Sequence, residues 1–193
     1  MSDVLPTVTV VIPARNEERD IEACLHSVLA QDWPRDRMEI IVVDGGSTDR
    51  TARRAQAVLD DAGVRGKVVE NPVGATPSNL NVGLQLATGA YLCRVDARSR
   101  LPERYISRCV AVLEARPDVK VVGGAQVALA RDDTPTAQGI ARALNNRYAM
   151  GLSRYRRGAA SGPSDTVYLG FFRTEQVRAV GGWDEALPTN QDF

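Results

Sequence analysis

At 193 residues with 44% hydrophobic content, the chain is long enough to bury one full-sized core, and a single domain over 1–193 is expected. Lysines and arginines number 24 and so do aspartates and glutamates, so no whole-chain field favours nucleic acid. No apolar run approaches the roughly 18 residues of a membrane span and no signal-peptide pattern opens the chain, which reads as a cytoplasmic protein. Cys24, Cys93 and Cys109 lack CxxC spacing and fall in apolar-periodic segments, so buried free thiols in a reducing compartment are expected.

In chain order, Val8–Ile12 reads as a first buried strand stopped by Pro13, and Asn16 as the cap of a following helix. Ile21, Cys24, Leu25, Val28 and Leu29 form its apolar stripe; His26, the only histidine, falls off it and is read as a surface residue. Ile40-Ile41-Val42-Val43 is a β-branched run, as in a parallel strand buried on both faces, and it ends in Asp44-Gly45-Gly46-Ser47-Thr48-Asp49. Ser47 or Thr48 is positioned to cap a helix from about Thr48 to Ala62, closed by Gly63. Asp44 is either a hydrogen-bond acceptor in a ligand crevice or a solvated turn residue.

Val68-Val69-Glu70 is a short third strand, then a loop leads to a helix with Thr76 as cap and Pro77 in its first turn. Asn79, Asn81 and Gly83 sit on that helix against propensity, a local conflict that marks working positions, although Asn81 equally suits a wet face. Tyr91–Val95 is the fourth strand, with Asp96-Ala97-Arg98 at its end, and a helix follows Pro102. Val119–Gly123 and Gln126–Leu129 read as strands split by Gly123-Gly124. From Thr134 to Ser164 there is no acidic residue, while Arg142, Arg147, Arg154, Arg156 and Arg157 supply a local positive charge. That run is either a solvated face or a patch for a phosphate-bearing ligand. Val167–Phe172 returns to a strand, Thr174 caps a short helix, and Gly181-Gly182-Trp183-Asp184 is a turn leading to Gln191-Asp192. The sequence stops there without a linker, so truncation of a longer C-terminus is expected.

The alternation of strands and helices predicts an α/β fold with a mostly parallel, doubly wound sheet whose strand ends converge on one crevice. GxGxxG, GxxxxGK[ST] and GxSxG are all absent, which argues against a dinucleotide fold, a P-loop and a hydrolase triad.

The order and spacing of these motifs resemble family 2 glycosyltransferases of the GT-A fold, in pattern nearest the succinoglycan-type exopolysaccharide glucosyltransferases. The resemblance implies a Rossmann-like, mostly parallel sheet flanked by helices, with a nucleotide-binding half at about 7–130 and an acceptor-side half at about 131–193. It implies that Pro13, Ala14, Arg15 and Glu17 hold base and ribose, that Asp44 hydrogen-bonds the base, and that Gly74 and Asn79 border nucleotide and donor sugar. Asp96 then matches the first acidic residue of a DxD element, and Asp192 the catalytic base that follows the Gly-Gly-aromatic-Asp turn.

The implied reaction is inverting transfer from a nucleoside-diphosphate sugar, with uridine the base most used, to a glycan or lipid-linked acceptor. Such chemistry serves exopolysaccharide and cell-envelope synthesis. The arginine patch would meet an acceptor phosphate or the membrane surface, at the inner face of the plasma membrane. A divalent cation, Mn2+ or Mg2+, held by Asp96 is the usual cofactor. Here Arg98 occupies the second acidic position, and guanidinium has no lone pair for a metal. Asp96 alone could hold the ion, Arg98 could neutralise the leaving group, or the site could be impaired. A binding module without transfer is the second reading. A nucleotidyltransferase is the third, weakened by the lack of a Gly-rich triphosphate loop after the first strand.

Overall fold

The computed structural model of the chain describes residues 4–146, 162–164 and 166–187. Arg147, Arg154, Arg156, Arg157 and Asp192 lie outside the described residues. By compactness the chain divides into two units, Met1–Val122 with Leu169–Gln191, and Gly123–Tyr168 with Asp192–Phe193.

The larger unit is built on strands β1 (Val8–Ala14) and β2 (Met38–Asp44), parallel and buried along their whole lengths. β-Branched runs suit a sheet covered on both faces, because successive side chains point to opposite sides and all need apolar neighbours. β3 (Arg65–Glu70) pairs parallel to β2, and β4 (Tyr91–Arg94) parallel to β1. β5 (Val121–Gly124) and β6 (Tyr168–Arg173) complete a six-stranded sheet in the order β3-β2-β1-β4-β6-β5, with β6 antiparallel to β4. The expected fold class is thus the observed one. The expected strand at Gln126–Leu129 is absent, and β5 runs through Gly123-Gly124 instead of stopping there.

Helices α1 (Ile21–Leu29), α2 (Thr51–Asp61), α3 (Thr76–Leu86) and α4 (Tyr105–Ala115) follow the four parallel strands. Ile21, Cys24, Leu25 and Val28 of α1 are buried and His26 is exposed, as the stripe predicts. All three thiols are free and buried; burial pushes Cys24 and Cys109 up to about 12 and Cys93 well above its usual value, so none is a thiolate at neutral pH. α6 (Thr174–Ala179) starts at Thr174, whose hydroxyl donates to the Gly89 carbonyl at 2.6 Å and does not cap the helix as expected.

One face of the sheet packs Val11, Ile41, Val43 and Leu92 against Leu80, Leu84 and Ala87 of the α3 segment and Val177 of α6. Gly83 explains how α3 sits so close. A Cβ there would lie 2.2 Å from Val11 Cγ1 and 2.9 Å from its Cγ2, so only hydrogen fits against β1. At the N-terminal strand ends, Glu39 is 7% exposed and accepts from Thr9 Oγ1, Thr88 N and Thr88 Oγ1 at 2.8–3.0 Å. Burial alone would push its carboxyl up. The Thr88 amide, both hydroxyls and Lys67 outweigh that and hold it below the usual range.

In the smaller unit, α5 (Pro135–Leu144) is capped by Thr134, whose Oγ1 accepts from Ala137 N at 3.2 Å. Asn145, just after it, clasps the Ala128 backbone with two 2.8 Å hydrogen bonds. Pro in the first turn and a threonine cap fix where this helix begins.

Two outcomes test this packing. Gly83→Ala should destabilise the protein by about 1–3 kcal/mol in urea unfolding despite its better helix propensity, because overpacking dominates. Adding Val11→Ala should cost less than the two single changes summed, since the clash disappears with the valine methyls. Glu39, with its folded pKa below the unfolded one, gives stability that is full above the unfolded carboxyl range and is lost as pH falls through the folded value. Glu39→Gln should therefore lower the urea midpoint at neutral pH, and the gap to the parent should narrow as pH falls below about 4.3. A gap constant with pH would remove the carboxylate from this account.

Candidate functional site

Parallel pairing brings three strand ends to one edge of the sheet. Ala14 stands beside Asp44 and Asp44 beside Glu70, while the Val95 amide continues the β1–β4 ladder by donating to Val11 O at 3.0 Å. The ladder also runs past the ends of β1 and β2, where Gly45 N donates to Ala14 O and Asn71 N to Asp44 O, each at 2.8 Å. The loops after β1, β2, β3 and β4 are therefore anchored to the sheet before any side chain acts.

Asp44 is 3% exposed, so the solvated-turn reading is replaced by a buried carboxylate. It accepts from Ser47 N at 3.0 Å and from the Ser47 hydroxyl, and Ser47 Oγ in turn accepts from Asn16 N at 2.9 Å. Asn16 does not cap α1, which starts at Ile21 with Asp20 before it. It takes a left-handed φ of 56°, tolerable for asparagine, and its Oδ1 accepts from Thr48 N at 2.9 Å. Ser47 and Thr48 are thus committed to joining the β1 and β2 loops. The α2 start falls to Asp49, whose Oδ1 accepts from Thr51 N at 2.9 Å. Burial is the largest single influence on Asp49 and raises its pKa, but the Thr51 hydroxyl and amide and the Glu18 amide together lower it by more, leaving it below its usual value.

The β2 and β3 loops approach each other through glycine. A Cβ on Gly45 would fall 2.8 Å from Asn79 Nδ2 and 3.0 Å from Gly74 Cα; one on Gly74 would fall 2.7 Å from Gly45 O and 3.1 Å from Arg15 Nη1. Gly74 also has φ 73°, which side chains disfavour. Asn79 is 2% exposed and accepts from Asn71 Nδ2 at 2.8 Å, while Ser78 Oγ accepts from the same amide at 3.1 Å. The cost of asparagine on α3 is therefore offset by a buried hydrogen-bond network that fixes the loop. Thr76, expected to cap α3, is its first residue, with Ala75 before it.

The β1 and β4 loops are joined by arginines. Arg98 Nε lies 2.8 and 2.7 Å from the two Glu17 carboxylate oxygens, and this pairing raises the guanidinium pKa further. Arg100 Nη2 donates to Asp20 at 3.0 Å and Arg94 Nε to Asp96 Oδ1 at 3.1 Å. Pro13 and Ala14 are buried at the end of β1, whereas Arg15 is exposed, with its guanidinium against Gly74. The structure thus gathers Pro13, Ala14, Arg15, Glu17, Asp44, Gly74, Asn79, Asp96 and Arg98 onto the strand ends, the following loops and the first turn of α3 at one sheet edge.

A divalent cation finds a poor donor set here. Asp96 is already engaged by Arg94, Arg98 has no lone pair, and Glu17 and Asp20 hold arginines. Among the described residues no group of three or more His, Cys, Asp or Glu is placed to hold a metal. In sequence, Asn16 and Ser47 read only as helix caps, and Asn71 and Arg94 have no site role. A charge inside the apolar run Tyr91–Val95 was the available signal for Arg94.

The Gly-Gly-Trp-Asp turn is docked onto α3. Gly181 and Gly182 take φ of 86° and 83°, and Trp183 N donates to Asn81 Oδ1 at 2.8 Å. Asn81 Nδ2 donates at 2.9 Å to both Trp183 O and Glu185 Oε1, and the Trp183 ring meets Phe172 edge-on at 6.0 Å. Asn81 is therefore a bracket for this turn, not a residue idling on a wet face.

Comparison with known proteins accords with this architecture. The profile described as "Glycosyl transferase family 2" matches residues 9–174. "Succinoglycan biosynthesis protein ExoA" of Rhizobium meliloti is 30% identical over 186 residues, 95% of this chain and 54% of that protein. "Glycosyltransferase AglE" of Haloferax volcanii is 31% identical over 127 residues, 64% of this chain and 40% of that protein. Among solved structures, the mannosyltransferase PcManGT of Pyrobaculum calidifontis, in complex with GDP-Man and Mn2+, superposes with a TM-score of 0.67 at 27% identity. That match covers 94% of this chain and 50% of the other. S. aureus TarS 1–349 in complex with UDP reaches 0.71 at 19% identity, over 96% of this chain and 52% of the other, and shows likeness of fold. The chain thus spans about half the length of the relatives it matches.

Asn81→Ala should cost about 1–2 kcal/mol and release the turn. The check is fluorescence: of Trp33 and Trp183, the former is 8% exposed and buried elsewhere, so a red shift reports the latter. An unchanged spectrum with unchanged stability would show that the bracket does not hold the turn.

Proposed function

The chain belongs to glycosyl transferase family 2, and from that premise we propose that it transfers a sugar from a nucleoside-diphosphate sugar to an acceptor hydroxyl. The observation that carries the reading is the cradle formed by buried Asp44, the facing backbones of Gly45 and Gly74, and exposed Arg15. Only hydrogens fit where Gly45 and Gly74 meet, so the two loop backbones close together at the strand end that carries Asp44. Asp44 keeps acceptor capacity beyond its two bonds to Ser47, since a carboxylate offers about four lone-pair sites. The base is held there, with uridine the first choice. UDP and GDP-Man occupy the two structural relatives described above.

The acceptor hydroxyl must lose a proton as the bond to the anomeric carbon forms. Asp192, eight residues beyond Asp184 of the docked Gly-Gly-Trp-Asp turn in sequence, is the proposed general base. With one base and no protein nucleophile, the expected course is a single displacement with inversion. A polysaccharide or lipid-linked glycan is the proposed acceptor, in line with the succinoglycan biosynthesis named for one relative. Arg142, exposed on α5, with Arg147, Arg154, Arg156 and Arg157, would then meet acceptor phosphate or anionic headgroups. No helix among the described residues is long and apolar enough to cross a membrane.

The replacement of an acidic residue by Arg98 is the one observation that favours a second reading, a binding module without transfer. Two measurements separate the readings. In a thermal-shift panel of uridine, guanosine and thymidine diphosphates, the cognate nucleotide at about 100 times its Kd should stabilise the fold by about 2.7 kcal/mol. Asp192→Asn should then lower transfer from the matching sugar nucleotide about 10²–10⁴-fold with nucleotide binding retained. Nucleotide binding without any transfer in the parent would favour the module, and no shift with any nucleotide would overturn both readings.

A further inference from the structure

The arginines at the end of β4 and in the loop after it account for the acids that a metal would need. Arg94 takes Asp96, Arg98 takes Glu17 and Arg100 takes Asp20, so each carboxylate facing this loop already has a cation of the protein's own. Of these pairs, one is built differently. The Glu17 side chain is 15% exposed and its backbone N–H is tied to Thr51 Oγ1 at 2.7 Å, so the acid is seated. The Arg98 side chain is 75% exposed, and its contact with Glu17 is made through Nε alone. Among the described residues Nη1 and Nη2 of Arg98 donate to nothing. A guanidinium gripped by Nε still presents the N–H donors of both terminal nitrogens, in the planar fork that matches phosphate oxygens.

We infer that Arg98, aimed by Glu17, is the cation that takes the donor's diphosphate, in the position where a divalent ion would otherwise stand. The inference rests on the glycosyl-transfer reading and adds the residue that neutralises the leaving group. A nucleoside diphosphate departs with more negative charge than it carried as a sugar ester. A permanently charged fork at that point stabilises the departing group without any metal. Glu17 acts through Arg98 as a positioning residue: it fixes the guanidinium by one edge and leaves the other free. The seat also explains why arginine, not lysine, occupies the position, because an ammonium held by the same carboxylate would lack the second, rigid edge. Asp96, already neutralised by Arg94, is left with a structural part in shaping the loop, its carbonyl accepting from Ser99 N at 2.8 Å.

The test compares UDP with uridine by calorimetric titration, each in chelator and in Mn2+, on the 193-residue chain and its variants. The parent should bind UDP in chelator with little gain from Mn2+. Arg98→Gln should weaken UDP about tenfold or more while uridine binding stays unchanged. Glu17→Ala should weaken UDP in the same selective way. Glu17→Gln, which still offers Nε an amide oxygen, should keep UDP affinity at or above that of the parent, a rescue that a merely structural role would not give. The inference is overturned if the parent binds UDP only with Mn2+, or if Arg98→Gln binds UDP in chelator as tightly as the parent. A parent that binds neither uridine nor UDP in either condition overturns the nucleotide reading itself, a result distinct from both.

Discussion

Everything at the candidate site hangs on the parallel register of β1 and β2, which sets Ala14 beside Asp44. Both strands are buried along their lengths on two covered faces, so a slip of one residue would exchange the side chains meeting each face and undo fits such as Val11 against Gly83. That constraint fixes where the chain leaves the sheet. The backbone bonds from Gly45 to Ala14 and from Asn71 to Asp44 extend the ladder into the loops. The carboxylate of Asp44, the Gly45–Gly74 approach and the Asn71–Asn79 network are consequences of it.

A second layer of order is electrostatic. The chain carries no net charge, yet its charges at this edge are paired across loops: Arg50 with Glu18, Arg98 with Glu17, Arg100 with Asp20. Exposed pairs of this kind add little to stability, with a median of about 0–1 kcal/mol, so their use is placement. They hold the β1 and β4 loops in register while leaving Arg15 and the far edge of Arg98 facing solvent. A loop rim so arranged is suited to an anionic ligand and poorly suited to a bare metal ion.

Much of this was legible in the sequence, and the reasons for success and failure are local. β-Branched runs at Val8–Ile12 and Ile40–Val43 announced the buried strands, because short β-branched stretches bounded by turn signals suit a strand covered on both faces better than a helix. The apolar stripe announced α1 and placed His26 outside. Caps were misread because asparagine and serine have several hydrogen-bonding uses: Asn16 and Ser47 bind across loops 31 residues apart in the chain, which no local pattern reveals. Gln126–Leu129 has the short apolar run of a strand but is not one; its Ala128 backbone is satisfied by Asn145 instead. The conflict flagged at Asn79, Asn81 and Gly83 proved informative at all three. Each departs from helix propensity for a tertiary reason, respectively a buried network, a docked turn and a close approach to Val11.

The claim on which the rest depends is that a nucleoside diphosphate lies over the ends of β1, β2 and β4. A crystal structure of the chain grown with UDP in the presence of chelator tests it most directly. The account predicts the base within hydrogen-bond distance of Asp44, the ribose over Gly45 and Gly74, and diphosphate oxygens on Arg98 Nη1 and Nη2 with Glu17 still on Nε. A nucleotide seated elsewhere, such as the open groove of about 610 Å³ lined by Glu22, His26, Arg35 and Asp61, would contradict it.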